Sequence, residues 1–103
     1  LGASGVGLGA FGAHALRSRV SDEQQLRSWE TASRYQLLHS LAILFAATRG
    51  HTLAGTALVA GTVLFSGSIY ALVLDRERFR FLGPVTPLGG VAMIAGWLAM
   101  IAP

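Results

Sequence analysis

A chain of 103 residues, 52% of them hydrophobic and only 13% charged, has the length of one domain and about half the charge of an average soluble domain. This composition excludes an ordinary water-soluble core and predicts a single transmembrane domain over residues 1–103. The formal net charge is +3, but every basic residue is an arginine in a short connection. That distribution is typical of topology signals and lipid headgroup contacts, so no nucleic-acid partner is expected.

The first apolar run, residues 1–16, covers about 24 Å as a helix, which is short for a membrane span. We therefore expect it to be a truncated first span. Gly5, Gly9 and Gly12 give this helix a surface of small residues, on which another helix can approach closely. Packing inside the bundle is favoured over a dimer interface, although the spacing alone does not name the partner.

A polar amphipathic segment follows the first run. Ser21 and Gln24 have the form of a capping box, so an interfacial helix is predicted over about residues 22–34. It continues into a second span over about residues 35–48. Trp29 and Tyr35 are interpreted as aromatic anchors at the headgroup level. Gly50 then stops the helix, and the short link predicts an antiparallel neighbour.

The third predicted span covers residues 53–74, which contain no charged side chain. Residues 75–81 alternate charge with aromatic side chains and are expected to lie in the interface. Thr86 is the predicted N-cap and Pro87 the first residue of a fourth span over about residues 87–102. The sequence therefore predicts an all-α, integral membrane four-helix bundle with an amphipathic interfacial helix between spans 1 and 2.

The arginines predict the orientation of these spans. Seven of the eight lie in the first and third connections, and only Arg49 lies in the second. The positive-inside rule places the first and third connections on the cytoplasmic side, or on the matrix side of a mitochondrion.

Several blocks of the sequence carry a family resemblance. They are residues 9–14 (GAFGAH), 29–32 (WETA) with 34–36 (RYQ) and His39, 65–70 (FSGSxY), 83–90 (GPxTPxGG) and 96–97 (GW). In order and over essentially the whole chain, they resemble the transmembrane protein 256 family, whose bacterial members are grouped as domain of unknown function 423. The resemblance implies a small four-pass protein of the bacterial or mitochondrial inner membrane. It implies no established activity, cofactor or catalytic residue.

Polar residues of the spans should lie toward one membrane side. This candidate polar cluster, centred on the two histidines near span ends, comprises His14, Arg34, Tyr35, His39, Ser66, Ser68 and Thr86. Polar groups at membrane depth face the bundle or water, which makes the cluster a candidate site. The favoured alternative is structural: such side chains commonly form hydrogen bonds between helices or to their own backbone.

These residues give little support for a metal site, a cofactor or catalysis. Two histidines without a nearby carboxylate or thiolate fall short of a zinc site, and no residue pattern supports haem, so no metal or cofactor is predicted. No acidic residue lies within a span, and no serine or threonine has an identifiable base. An enzyme is therefore not expected.

Two functional hypotheses follow. The first is a non-catalytic accessory or assembly subunit of a larger membrane complex, for example a respiratory one, with lipids and other membrane subunits as partners. Residues 22–34 would contact that partner or the headgroups. The alternative is a small oligomeric transporter or ligand-binding membrane protein that uses the candidate polar cluster.

Overall fold

The computed structural model of this protein describes residues 1–101, and within them it is all-helical, without a strand. The helices are α1 (Gly2–Ala13), α2 (Glu23–Thr48), α3 (Thr52–Leu74) and α4 (Val85–Ile101), with single 3₁₀ turns at Leu16–Ser18 and Arg80–Leu82. The predicted end of the fourth span at residue 102 lies outside the described residues.

The helices pack in chain order, each antiparallel to its neighbour. Gly5 of α1 lies against Leu37 of α2, whereas Gly12, further along α1, lies against the earlier residue Trp29. The same reversal relates α2 to α3 and α3 to α4. Gly50 makes the tight α2–α3 turn possible because its φ of +68° lies in the left-handed region that favours glycine.

The predicted interfacial helix and the second span are the two halves of one helix. α2 runs for 26 residues without a break, and its N-cap is Asp22, whose Oδ1 accepts from the Gln24 backbone N–H at 2.9 Å. The predicted cap at Ser21 is therefore wrong by one residue. A carboxylate at this position also interacts favourably with the positive end of the helix dipole.

Trp29 lies in the interior of the bundle rather than at the lipid surface. It is 2% exposed, packs with Leu16, Leu26 and Val73, and donates from Nε1 to the Leu8 carbonyl at 2.8 Å. Its interpretation as a headgroup anchor is wrong, because the first half of α2 is held against α1 and α3 by this apolar cluster. The same contact explains why position 12 is a glycine, because an added Cβ there would lie 2.7 Å from the Trp29 Nε1.

α3 and α4 approach each other backbone to backbone. A Cβ on Gly61 would lie 2.6 Å from the Met93 nitrogen, and one on Gly89 would lie 2.8 Å from the Phe65 Cα. Gly96 is equally close to the Leu58 side chain. Small residues thus form this interface, as is usual where the hydrophobic effect does not drive helices together.

The outer surface of the bundle is apolar. Large exposed hydrophobic side chains occur along α2, α3 and α4, among them Leu41, Leu44, Leu53, Val63, Leu88, Val91, Ile94 and Leu98. Two helical segments, Thr52–Leu74 and Arg80–Ile101, are long and apolar enough to cross a membrane. With polar side chains inside and large apolar ones outside, the bundle has the distribution expected in lipid.

Candidate functional site

His39 is the member of the candidate polar cluster whose side chain bonds to two other residues. Its side chain is 6% exposed, and Nδ1 lies 2.8 Å from the Tyr35 carbonyl one turn earlier. A carbonyl only accepts, so Nδ1 carries the proton and Nε2 is left as an acceptor. That acceptor receives the indole N–H of Trp97 on α4 at 3.0 Å. His39 is therefore a neutral bridge between α2 and α4, with both ring nitrogens engaged.

Aromatic contacts hold the imidazole in this orientation. The Tyr35 ring stacks on His39 with centroids 5.7 Å apart, and the Trp97 ring meets it edge to face at the same separation. Tyr35 also packs against Phe65 of α3. The ring is therefore held by aromatic contacts from α2 and α4 in addition to its hydrogen bonds, and α3 supports it through Tyr35.

Gln36 links α1, α2 and α3. Its side-chain amide nitrogen donates to the Leu1 carbonyl and to the Ser4 hydroxyl, both at 2.8 Å. Its Oε1 accepts from the Tyr70 hydroxyl on α3 at 2.7 Å. Gln36 is 4% exposed, so this amide is satisfied entirely by protein groups.

Hydroxyl groups of α3 form hydrogen bonds to the neighbouring helices α2 and α4. Ser66 donates to the Ala32 carbonyl of α2 at 2.7 Å, and the Ser68 and Thr86 hydroxyls form a short hydrogen bond between α3 and α4. Thr86 thus joins two helices instead of capping α4, which begins at Val85. The buried Oγ1 of Thr62 has no hydrogen-bond partner in residues 1–101.

The structure separates the remaining members of the cluster. Arg34 pairs with Glu30 at 3.1 Å on the surface, where both side chains are over 60% exposed, so the pair contributes only tenths of a kcal/mol. His14 is an exposed residue at the end of α1. Because Gly12 faces Trp29 across antiparallel helices, His14 lies roughly 18 Å along the bundle from His39. The predicted cluster around both histidines is not assembled.

The candidate polar cluster predicted from the sequence leaves out Gln36, Tyr70 and Trp97. Gln36 could have been identified from the sequence. It is an uncharged amide within a predicted span, and because it precedes His39 by three residues it lies near the same helix face. The other two were hidden, because an aromatic side chain in a span is equally compatible with lipid contact.

His51 forms a separate polar contact at the opposite end of the bundle. Its Nδ1 accepts from the Ala54 backbone N–H at 3.3 Å and caps α3, while Nε2 donates to the Ala99 carbonyl of α4 at 2.8 Å. Within residues 1–101, no group of three or more His, Asp or Glu side chains is placed to hold a metal ion. The chemical role of these polar side chains is therefore to form hydrogen bonds between the helices.

Two cavities lie near the arginine-rich end. One, of about 460 Å³, lies between α1 and α2 beside Gly9, Gly12 and Trp29, with Arg17 and Arg34 at its edge. The other, of about 650 Å³, lies between the start of α2 and the α3–α4 connection.

A bundle with hydrogen-bonded polar side chains inside and large apolar side chains outside is a helical membrane protein. The family model described as "Protein of unknown function (DUF423)" matches residues 8–90. The chain belongs to this family, and the resemblance seen in the sequence blocks is confirmed.

Relatives occur in bacteria and in yeast. The chain is 44% identical to a UPF0382 membrane protein of Schizosaccharomyces pombe, over 93% of this chain and 87% of the relative. It is 44% identical to a UPF0382 membrane protein of Staphylococcus aureus, over 93% and 81% of the two chains. It is 40% identical to UPF0382 membrane protein YwdK of Bacillus subtilis, over 93% and 82%. No solved structure matches the chain.

Proposed function

We propose that this protein is a non-catalytic accessory or assembly subunit that docks on another membrane protein through the outer face of α1. The observation that carries the proposal is the contrast between the two faces of this helix. The inner face packs on α2 through Gly5, Gly9 and Gly12. The outer face is exposed and carries Ala3, Gly7 and Ala10 at helical spacing.

The exposed face of α1, on which Val6 is the one large hydrophobic side chain among these small residues, differs from the exposed face of α4. α4 exposes Leu88, Val91, Ile94 and Leu98, which are the large side chains expected against lipid tails. A Cβ added to Gly7, in contrast, would meet nothing within 4 Å. Small residues let a second backbone approach closely, so this face suits a transmembrane helix of a partner.

The bonding inside the bundle favours this role over transport or ligand binding. His39, Gln36 and Ser66 each direct their polar atoms to protein groups. A carrier or ligand site needs polar groups that can exchange partners with the cargo. His14 and Arg34, the other members proposed for such a site, lie on the surface and away from His39.

The location that accompanies this function is the inner membrane of a bacterium or a mitochondrion, where a respiratory or similar complex would be the partner. The arginine-rich connections would face the cytoplasm or the matrix. The family's presence in bacteria and in a yeast supports such a location.

The experiment is purification of the full chain from its native membrane in a gentle detergent, followed by native mass spectrometry. The expected result is a stoichiometric complex with other membrane subunits that is lost in Gly7→Leu. Gly67→Leu is the matched control, because Gly67 is also an exposed helical glycine with nothing within 4 Å of an added Cβ.

Gly5 and Gly9 are unsuitable for this test. A Cβ on Gly5 would lie 2.9 Å from the Leu37 Cδ2, so a leucine there would separate α1 from α2. The proposal fails if the native protein purifies as a monomer or homo-oligomer. It also fails if the complex survives Gly7→Leu combined with Ala10→Leu.

A further inference from the structure

The larger cavity has a polar rim built from separate parts of the chain. Gln24, Gln25 and Ser28 of the first turns of α2 lie on one side, and Arg76 and Arg80 of the α3–α4 connection lie on the other. The amide and guanidinium groups supply hydrogen-bond donors, whereas the Ser28 hydroxyl already donates to the Gln24 carbonyl at 3.0 Å. A rim rich in donors suits an oxyanion such as a phosphate group.

The charge of the rim is positive. In residues 1–101 the one ion pair is Arg34 with Glu30, so neither Arg76 nor Arg80 is neutralised by a bonded carboxylate. Asp22 also lines the cavity, but its Oδ1 accepts from the Gln24 backbone N–H. Two guanidinium groups against one carboxylate leave a net charge of +1 around the cavity.

The floor of the cavity is apolar, unlike its rim. Ile69, Leu72 and Val73, from the last turns of α3, line it. This floor lies just inside Leu74, where the first candidate span ends, and the rim lies in the connection beyond it. The cavity is thus polar at the depth of lipid headgroups and apolar at the depth of the first acyl carbons.

We propose that this cavity binds an anionic phospholipid. The phosphate lies between Arg76 and Arg80, and the glycerol and upper acyl segment lie against Ile69, Leu72 and Val73. A free phosphate ion would use the rim alone and leave the apolar floor without a partner. The predicted orientation also places this end at the inner leaflet, whose surface is negatively charged.

The test is native mass spectrometry of the full chain released from nanodiscs that contain equal parts of phosphatidylglycerol and phosphatidylcholine. The wild-type protein retains phosphatidylglycerol in preference to phosphatidylcholine. Arg76→Gln combined with Arg80→Gln lowers the apparent affinity for phosphatidylglycerol on the order of 100-fold, because each direct arginine–phosphate hydrogen bond that is lost costs roughly tenfold in affinity.

The matched control is Arg27→Gln combined with Arg78→Gln. It removes the same charge from the same end of the bundle, but neither residue lines the cavity. The control is expected to lose clearly less affinity than the cavity variant, because neither Arg27 nor Arg78 bonds to the phosphate in the cavity. Equal losses in the two double variants would overturn the proposal, because they would indicate general attraction of anionic lipid to a basic surface. Unchanged retention in the cavity variant would overturn it as well.

Thermal unfolding in detergent distinguishes binding of a phospholipid from binding of free inorganic phosphate. Short-chain phosphatidylglycerol is expected to raise the unfolding temperature of the wild-type protein and not of the cavity variant. Inorganic phosphate at the same concentration is expected to raise neither. An equal rise with inorganic phosphate would assign the rim to a free anion and overturn the lipid proposal. The unliganded unfolding temperatures show whether both double variants are folded.

Discussion

The Tyr70 hydroxyl of α3 donates to Oε1 of Gln36 of α2 at 2.7 Å, while the Tyr70 ring packs on Trp29 at 4.6 Å. Tyr70→Phe keeps the ring contact and leaves the buried amide oxygen without its donor. Hydrogen bonds between membrane helices contribute about 0.6 kcal/mol on average, and a buried unpaired acceptor costs about 1–3 kcal/mol. A loss of about 1 kcal/mol in the free energy of unfolding is therefore expected.

Chemical unfolding in mixed micelles measures this loss. Tyr35→Phe is the control, because Tyr35 is 40% exposed and its hydroxyl makes no hydrogen bond within the described residues. Combining Tyr70→Phe with Gln36→Leu should cost less than the sum of the single changes, since the two groups are coupled. Strict additivity would contradict the bond.

Gly89→Ala should destabilise the α3–α4 interface far more than Gly90→Ala. A Cβ on Gly89 would lie 2.8 Å from the Phe65 Cα and 2.9 Å from the Gly61 carbonyl oxygen, and backbone atoms cannot turn aside. A Cβ on the adjacent Gly90 would make an ordinary 3.9 Å contact with the Phe65 ring. The expected losses are about 1–3 kcal/mol and close to zero, respectively. Equal unfolding temperatures for the two variants would disprove the close approach.

Thr62→Val is expected to stabilise the protein. The Thr62 hydroxyl is fully buried without a hydrogen-bond partner in residues 1–101, and valine has nearly the same shape. Removing an unsatisfied hydroxyl avoids its desolvation cost, so a gain of about 1 kcal/mol in the free energy of unfolding is expected.

Ser66→Ala is the comparison for this change, because Ser66 lies one turn further along α3 and donates to Ala32. It should lower stability where Thr62→Val raises it. A loss of stability in both variants would mean that the Thr62 hydroxyl is bonded in solution.

The orientation of α3 can be tested with introduced cysteines, since the chain has none of its own. Thr52→Cys and Glu77→Cys both replace exposed residues, at opposite ends of the helix. In intact cells, a membrane-impermeant maleimide should label only Thr52→Cys, and Glu77→Cys should react after permeabilisation. Labelling of both from one side would rule out a transmembrane α3.

The helices could be predicted from the sequence because their signals are local. Uncharged runs and Gly50 indicate where α3 begins and ends. The partners of His39 could not be predicted, since they depend on the relative register of α2 and α4. Trp29 was misplaced for a related reason: an aromatic residue near the polar end of a helix suits the headgroup region and a buried cluster equally well. Only the packing of Leu16 and Val73 against it decides between them.

The contact between His51 and Ala99 has a consequence for how the protein is made. The ring nitrogen that donates to Ala99 belongs to a residue synthesised 48 positions earlier, in the turn that precedes α3. A nascent chain that has completed α2 and α3 therefore still lacks the α4 carbonyl to which this imidazole bonds. The Ala99 carbonyl of α4 thus fixes the residue that caps α3, and a chain truncated before Ala99 would leave the turn between α2 and α3 without this bond.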